Sequence, residues 1–218
     1  MSLVDELVEA RERIEQRVAA AGGVGVRIVA VTKTHPVETV RAAISAGFTD
    51  LGENYAAEFA AKAGEVGGGA PGAATWRWHF IGQLQTNKVR VVAPFVGLYQ
   101  SVDRRSLIAE IAKRSPGASV MIQVNLADVQ GRGGASFSDV GPLIESARQG
   151  GLNVCGLMGV APVADHSTTA TAFARLRRQC DAEALAECSM GMSGDLEIAV
   201  AEGSTMVRIG SAIFGSRG

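Results

Sequence analysis

The sequence predicts an eight-stranded parallel α/β barrel, a TIM (β/α)₈ barrel. Three observations carry it. Short apolar runs rich in β-branched residues recur along the whole chain, each is followed by apolar residues at helical spacing, and no hairpin signal joins any two of them. Nearly continuous apolar strands separated by helices are what a parallel sheet buried on both faces requires. At 218 residues the chain suits one such barrel with a single core, so one domain over 1–218 is expected, with an extra N-terminal helix.

That helix comes first. MSLVDELVEARERIEQRVAAAG places Leu3, Leu7, Ile14 and Val18 along one face and lacks the apolar centre of a signal peptide. Residues 26–32 form the first strand, and Pro36 stands where the first turn of a helix tolerates it, so Lys33 falls in a β-to-α loop. Residues 48–53 are the second strand, with Asn54 set to cap a helix over 54–62. The Gly/Ala/Pro run 64–74 reads as an exposed loop. It has no adjoining strand, which sets aside a nucleotide-binding glycine loop. Strand three covers 76–81 and is followed by a short helix over 85–92. Strand four covers 97–102, with Asp103 as the cap of a helix reaching 113. Strand five, 119–125, leads into a polar glycine-rich loop and a helix over 138–149. Strand six, 152–158, precedes a helix over 167–182; strand seven, 186–190, precedes one ending at 201; strand eight, 205–209, leads into 210–215.

Composition removes several functions. A net charge of −1 offers no basic field for nucleic acid, and the pairs Arg104-Arg105 and Arg177-Arg178 read as solvated helix faces. Cys155, Cys180 and Cys188 form no CxxC pair and leave an odd count, which indicates neither a disulfide framework nor a zinc site. No apolar stretch approaches a membrane span, so a cytoplasmic, monomeric chain with no membrane or nucleic-acid partner is expected.

The chemistry concentrates at strand ends. In parallel α/β folds ligands bind at the carboxyl ends of the strands, where Lys33 stands. Desolvation there lowers an amine's pKa and suits it to Schiff-base chemistry; the alternative is a solvated lysine after a strand. Met192-Ser193-Gly194-Asp195 and Arg208-Ile209-Gly210-Ser211 follow the last two strands, each a small-residue turn before a helix. Backbone N–H groups, a helix dipole and a hydroxyl suit phosphate at that barrel position; the alternative is a pair of ordinary helix caps.

The segments GVRIVAVTKTHP, LGENYAAEFAAK, WHFIGQLQTNK, VMIQVNLADVQGRGG, LMGVAP and MGMSGDLEIAVAEGSTMVRIGSAIFG resemble the pyridoxal phosphate homeostasis proteins, single-domain relatives of the amino-terminal barrel of alanine racemase. The resemblance runs from about residue 5 to 217. It implies that Lys33 carries pyridoxal 5'-phosphate (PLP) as an internal aldimine. Ser193, Gly210 and Ser211 then contact the phosphate, Arg208 partners the pyridine nitrogen, and Asn54 lines the cofactor. Departures are Arg132, where many relatives carry lysine, and Thr32 and His35, which flank Lys33 where serine and lysine are common.

Arginine has only donors and stays charged, so facing it the pyridine nitrogen is an unprotonated acceptor and the ring a poor electron sink. That leaves a racemase with strong flanking bases or a carrier with little turnover. The second base of alanine racemase is a tyrosine from a further β domain, and this chain stops at Gly218. Tyr55 reads as packing on a helix face and Tyr99 as core; among His35, His79 and His166 no pair has metal-ligand spacing. The expectation is therefore a PLP homeostasis protein with little or no catalysis, whose partners are PLP itself and PLP-dependent apoenzymes as recipients. The alternatives are a PLP-dependent amino-acid racemase and a lysine-dependent aldolase acting on a phosphorylated sugar.

Overall fold

The computed structural model describes residues 1–67, 76–127, 133–162 and 164–215. Eight strands, β1 (Arg27–Val31), β2 (Asp50–Glu53), β3 (Arg77–Phe80), β4 (Leu98–Val102), β5 (Ser119–Val124), β6 (Asn153–Gly159), β7 (Glu187–Ser189) and β8 (Met206–Ile209), are all parallel. They close into a barrel in chain order, with β8 pairing back onto β1 from Arg27↔Met206 to Ala30↔Ile209. This is the expected barrel, and closure leaves no exposed edge. Around it lie α1 (Leu3–Ala20), α2 (Val37–Ser45), α3 (Ala56–Val66), α4 (Val89–Val92), α5 (Arg105–Arg114), α6 (Val140–Gln149), α7 (His166–Ala182), α8 (Leu196–Ala201) and α9 (Ser211–Phe214).

Side-chain alternation divides the core in two. Outward residues such as Ala30, Leu51, Trp78, Phe80, Ile122, Leu157 and Val207 pack under the helices in one large cluster. Inside the barrel, Val29, Leu98, Met121, Met158 and Met206 make a separate small one. The rest of the lumen holds polar side chains, among them Asp50, His79, Gln100, Ser189 and Arg208, all buried.

Helix α1 opens on a capping box between Ser2 and Asp5 and buries Leu7, Ala10, Ile14 and Val18. Leu3, expected on the same stripe, is 45% exposed because the first turn overhangs a groove beside Phe214 and Gly215. Pro36 is the N-cap of α2.

Two expected caps are corrected. Asn54 does not cap α3: Tyr55 is the N-cap and makes no side-chain cap bond, because the chain stays extended (φ −115°, ψ 116°) past Asn54. Asp103 does not cap α5 either; Arg104 is its N-cap, and Asp103 instead pairs with the Arg104 guanidinium at 2.6 Å. The helix expected over 85–92 divides into a 3-10 turn (Thr86–Lys88) and α4, and a 3-10 turn (Phe137–Asp139) precedes α6. In the loop expected over 64–74, α3 runs on to Val66, and its remainder from residue 68, like Arg132 in the loop after β5, lies outside the described residues. The arginine pairs are not simply solvated: Arg104 donates to the Leu84 carbonyl at 2.6 Å, and Arg177 to Asp181 at 2.7 Å and the Leu185 carbonyl at 3.2 Å.

Candidate functional site

The carboxyl ends of β1, β2, β7 and β8 are neighbours on one rim, and each carries an expected site residue. Lys33 lies two residues beyond β1. Thr32 still pairs with the strand, its N–H donating to the Gly52 carbonyl at 3.0 Å, and its hydroxyl points outward to Glu53 Oε1 at 2.7 Å. Alternation then puts Lys33 on the barrel side with Val29 and Val31. Lys62 of α3 donates to the Thr32 carbonyl at 2.7 Å, to Glu53 Oε1 at 2.8 Å and to Glu58 Oε1 at 2.6 Å. Glu58 in turn accepts from the Thr34 N–H. Thr34 has φ +67°, in the left-handed region that few non-glycine residues occupy, and that N–H bond holds it there. The backbone on both sides of Lys33 is thus fixed by a buried carboxylate–ammonium cluster. Burial pushes the Glu53 carboxyl above its ordinary value, against the opposing pull of Lys62 and Thr32.

Across the β1–β8 seam, a Cβ on Gly210 would lie 3.6 Å from Val31, so the turn after β8 rests on the end of β1. The His35 and Phe214 rings meet at 4.9 Å, tying the Lys33 loop to α9. Ser193, on the turn after β7, accepts from the Ala212 N–H through its hydroxyl at 3.2 Å, which joins the two turns expected to take phosphate. Asp195 Oδ1 closes the first turn by accepting from the Met192 N–H. Arg17 of α1 binds the Ser193 carbonyl at 3.2 Å while pairing with Glu197 at 2.6 Å.

Arg208 enters from below. Its Nη1 donates to the Ser189 carbonyl and hydroxyl, both at 2.8 Å, and its Nη2 to the Gly159 carbonyl at 2.7 Å, which locks the guanidinium in the lumen. Burial lowers its pKa to about 10, so it remains a cation at neutral pH.

Asn54 completes the rim. Its backbone lies under Gly82, where a Cβ would come within 2.1 Å of the Asn54 carbonyl oxygen. Asn54 Oδ1 is buried with no hydrogen-bond partner among the described residues. A buried amide oxygen left unpaired at the carboxyl-end mouth of a parallel barrel is a place for a ligand's hydrogen-bond donor. Together with a fixed cation below and hydroxyl and amide donors to one side, it fits a small ring bearing a phosphate and a polar substituent.

The other residues weighed from sequence fall elsewhere. Tyr55 is 52% exposed at the N-cap of α3 and not on its face, whereas Tyr99 is core, its hydroxyl meeting Ser115 at 3.0 Å. His166 begins α7, and His79 lies wholly inside the barrel. Among the described residues no group of His, Cys, Asp or Glu is arranged to hold a metal ion, and all three cysteines are free. Sequence reasoning missed Glu53, Glu58 and Lys62, although they lie in LGENYAAEFAAK. The signal was there: an i, i+4 Glu58–Lys62 pair beside a strand that ends on a glutamate.

The family model described as Alanine racemase, N-terminal domain, matches residues 6–218. The pyridoxal phosphate homeostasis protein of Pseudomonas aeruginosa is 36% identical over 226 residues, covering 99% of this chain and 96% of that one. Among solved structures, an unknown protein from Bifidobacterium adolescentis superposes with a TM-score of 0.85 at 33% identity, over 97% of this chain and 96% of that one. PipY of Synechococcus elongatus with PLP bound has a TM-score of 0.77 at 29% identity, over 93% of this chain and 100% of that one.

Proposed function

The chain belongs to the pyridoxal phosphate homeostasis protein family, built on the alanine racemase N-terminal domain, and from that premise we propose that it binds PLP on Lys33 and serves intracellular PLP homeostasis with little or no turnover. The observation that supports the reading is that the strand ends carrying Lys33, Asn54 and the joined Ser193 and Ser211 turns are neighbours on one rim of the barrel, with the Arg208 guanidinium fixed in the lumen below. PLP, when bound, supplies an aldehyde that condenses with a primary amine, and a phosphate dianion.

In this reading the chain is one PLP-binding domain. Lys33 offers the amine from a loop fixed on both sides. Ser193, Gly210 and Ser211 receive the phosphate with hydroxyl and backbone donors, and Asn54 turns its unpaired amide to the ring. Arg208 meets the ring nitrogen as a donor; a nitrogen that must accept stays unprotonated, which withholds the electron sink that turnover requires. We place the protein in the cytoplasm as a monomer that passes PLP to apoenzymes. In support, the chain's net charge of −1 offers nothing to nucleic acid, and among the described residues no helix is long and apolar enough to cross a membrane.

The test is spectroscopic. Added PLP is expected to give the purified chain a visible absorbance band that Lys33→Ala abolishes, with negligible conversion of amino acids. Robust racemisation of alanine by the wild type would replace this reading with that of an amino-acid racemase.

A further inference from the structure

Five buried polar side chains cross the barrel lumen in one line of hydrogen bonds. Arg208 Nη1 donates to Ser189 Oγ at 2.8 Å, and that hydroxyl donates to Gln100 Oε1 at 2.7 Å. Gln100 Nε2 donates to His79 Nδ1 at 2.6 Å and also lies 3.0 Å from Met206 Sδ. His79 Nε2 donates to Asp50 Oδ1 at 2.7 Å, the oxygen that also accepts from Arg77 Nη2 at 2.9 Å.

Donor chemistry sets the direction of every link. Arginine only donates, so Ser189 Oγ accepts and its one hydrogen goes to Gln100. With the Gln100 oxygen taken, its NH₂ faces His79. Nδ1 therefore accepts, and Nε2 carries the ring hydrogen toward the carboxylate. The dipoles stand head to tail from a guanidinium near the site to a carboxylate on the first residue of β2. Asp50 there borders a cavity of about 300 Å³ lined also by Arg27, Phe48 and Thr49, so the line reaches the opposite mouth of the barrel.

Barrel interiors are ordinarily filled with branched apolar side chains. A polar line in their place is tolerable only when every member is satisfied, and among the described residues none of these five side chains has a buried polar atom left without a partner. We propose that Asp50, His79 and Gln100 are positioning residues for Arg208: they fix the guanidinium at the head of the line and carry the negative charge of Asp50 to it through aligned dipoles. The proposal rests on the reading that Arg208 meets the ring nitrogen of PLP, and it extends that contact from one side chain to the whole width of the barrel.

Two measurements test it. In the chain without PLP, ¹⁵N-labelled histidine is expected to show His79 as the neutral Nε2–H tautomer at neutral pH; a protonated ring or the Nδ1–H tautomer overturns the line. In the second, PLP is titrated into each variant and the visible band followed. Asp50→Asn and Gln100→Leu are expected to bind PLP about tenfold more weakly, the size of one buried hydrogen bond, and to displace the band maximum. His79→Gln, which accepts at one end and donates at the other, is expected to behave as the wild type. Asp50→Asn keeps the side-chain shape and carries the test should Gln100→Leu fail to fold. Variants that fold by circular dichroism and match the wild type in affinity and band position overturn the proposal. A wild type that takes up no PLP defeats the cofactor reading instead, and the His79 tautomer still decides the line.

Discussion

Lys33 owes its position to three side chains that are not its neighbours in sequence. Glu53 is fully buried and Lys62 nearly so, at 6% exposure, and they hold the Thr32 hydroxyl and carbonyl while Glu58 holds the Thr34 N–H. Removing one member of a buried ion pair leaves the other charge without compensation, which costs more than the pair contributes. Lys62→Met is therefore expected to destabilise the protein by about 3–5 kcal/mol in denaturant unfolding. The double variant with Glu53→Gln is expected to lose less than the sum of the single changes, because the two side chains share one cluster. Lys33 itself was legible from its place between a strand and a proline. Of the clamp around it, the Glu58–Lys62 pair was legible from its i, i+4 spacing; that Glu53 and the Thr32 carbonyl join it was not, because only the packing of α3 beside β1 and β2 brings Lys62 to them.

Among elements, α1 does more than cover the barrel. It lies against α2, α8 and α9, and Arg17 reaches from it to the Ser193 carbonyl, so the helix steadies the turn that we assign to the phosphate. Its ion pair with Glu197 is partly exposed, and such pairs contribute about 1 kcal/mol or less. Arg17→Ala is accordingly expected to change stability little while weakening PLP binding, measured by titration of the visible band. Gly82 positions Asn54 by close approach alone: a methyl group there would overlap the Asn54 backbone, and backbone cannot swing aside. Gly82→Ala is expected to cost about 1–3 kcal/mol in thermal or denaturant unfolding and to lower PLP affinity further than Arg17→Ala does. The amphipathic stripe of α1 was readable from periodicity. The role of Gly82 was not, since a glycine after a strand reads only as a strand end.

At the scale of the whole molecule, the polar lumen makes stability depend on pH. Burial lowers the His79 pKa below its ordinary 6.5, so the unfolded chain binds a proton that the folded barrel refuses. That contribution is complete above 6.5 and is lost as the pH falls toward the folded value, at up to about 1.4 kcal/mol per pH unit. Burial alone would raise the Asp50 carboxyl, but the bonds from His79 and Arg77 outweigh it and hold the group below the usual carboxylate range; its contribution is lost only at still lower pH. Glu53, raised by burial, acts with the opposite sign, favouring the fold at acid pH and losing that contribution as the pH rises through its folded value. In thermal melts His79→Gln is thus expected to lose less Tm than the wild type between about pH 7 and about pH 5.

The sequence by itself determined the barrel, the order of its strands and helices, and the rim on which Lys33, Asn54, Ser193, Gly210 and Ser211 lie, with Arg208 on the last strand below it. Period-2 and period-3.6 patterns are local, and a parallel strand always delivers its carboxyl end to the same rim. Only the tertiary structure decided which polar side chains meet. Asp50, His79 and Gln100 lie on consecutive strands, as do Ser189 and Arg208, but the two groups meet only through the Ser189–Gln100 bond between β7 and β4, which closure of the barrel brings face to face across the lumen.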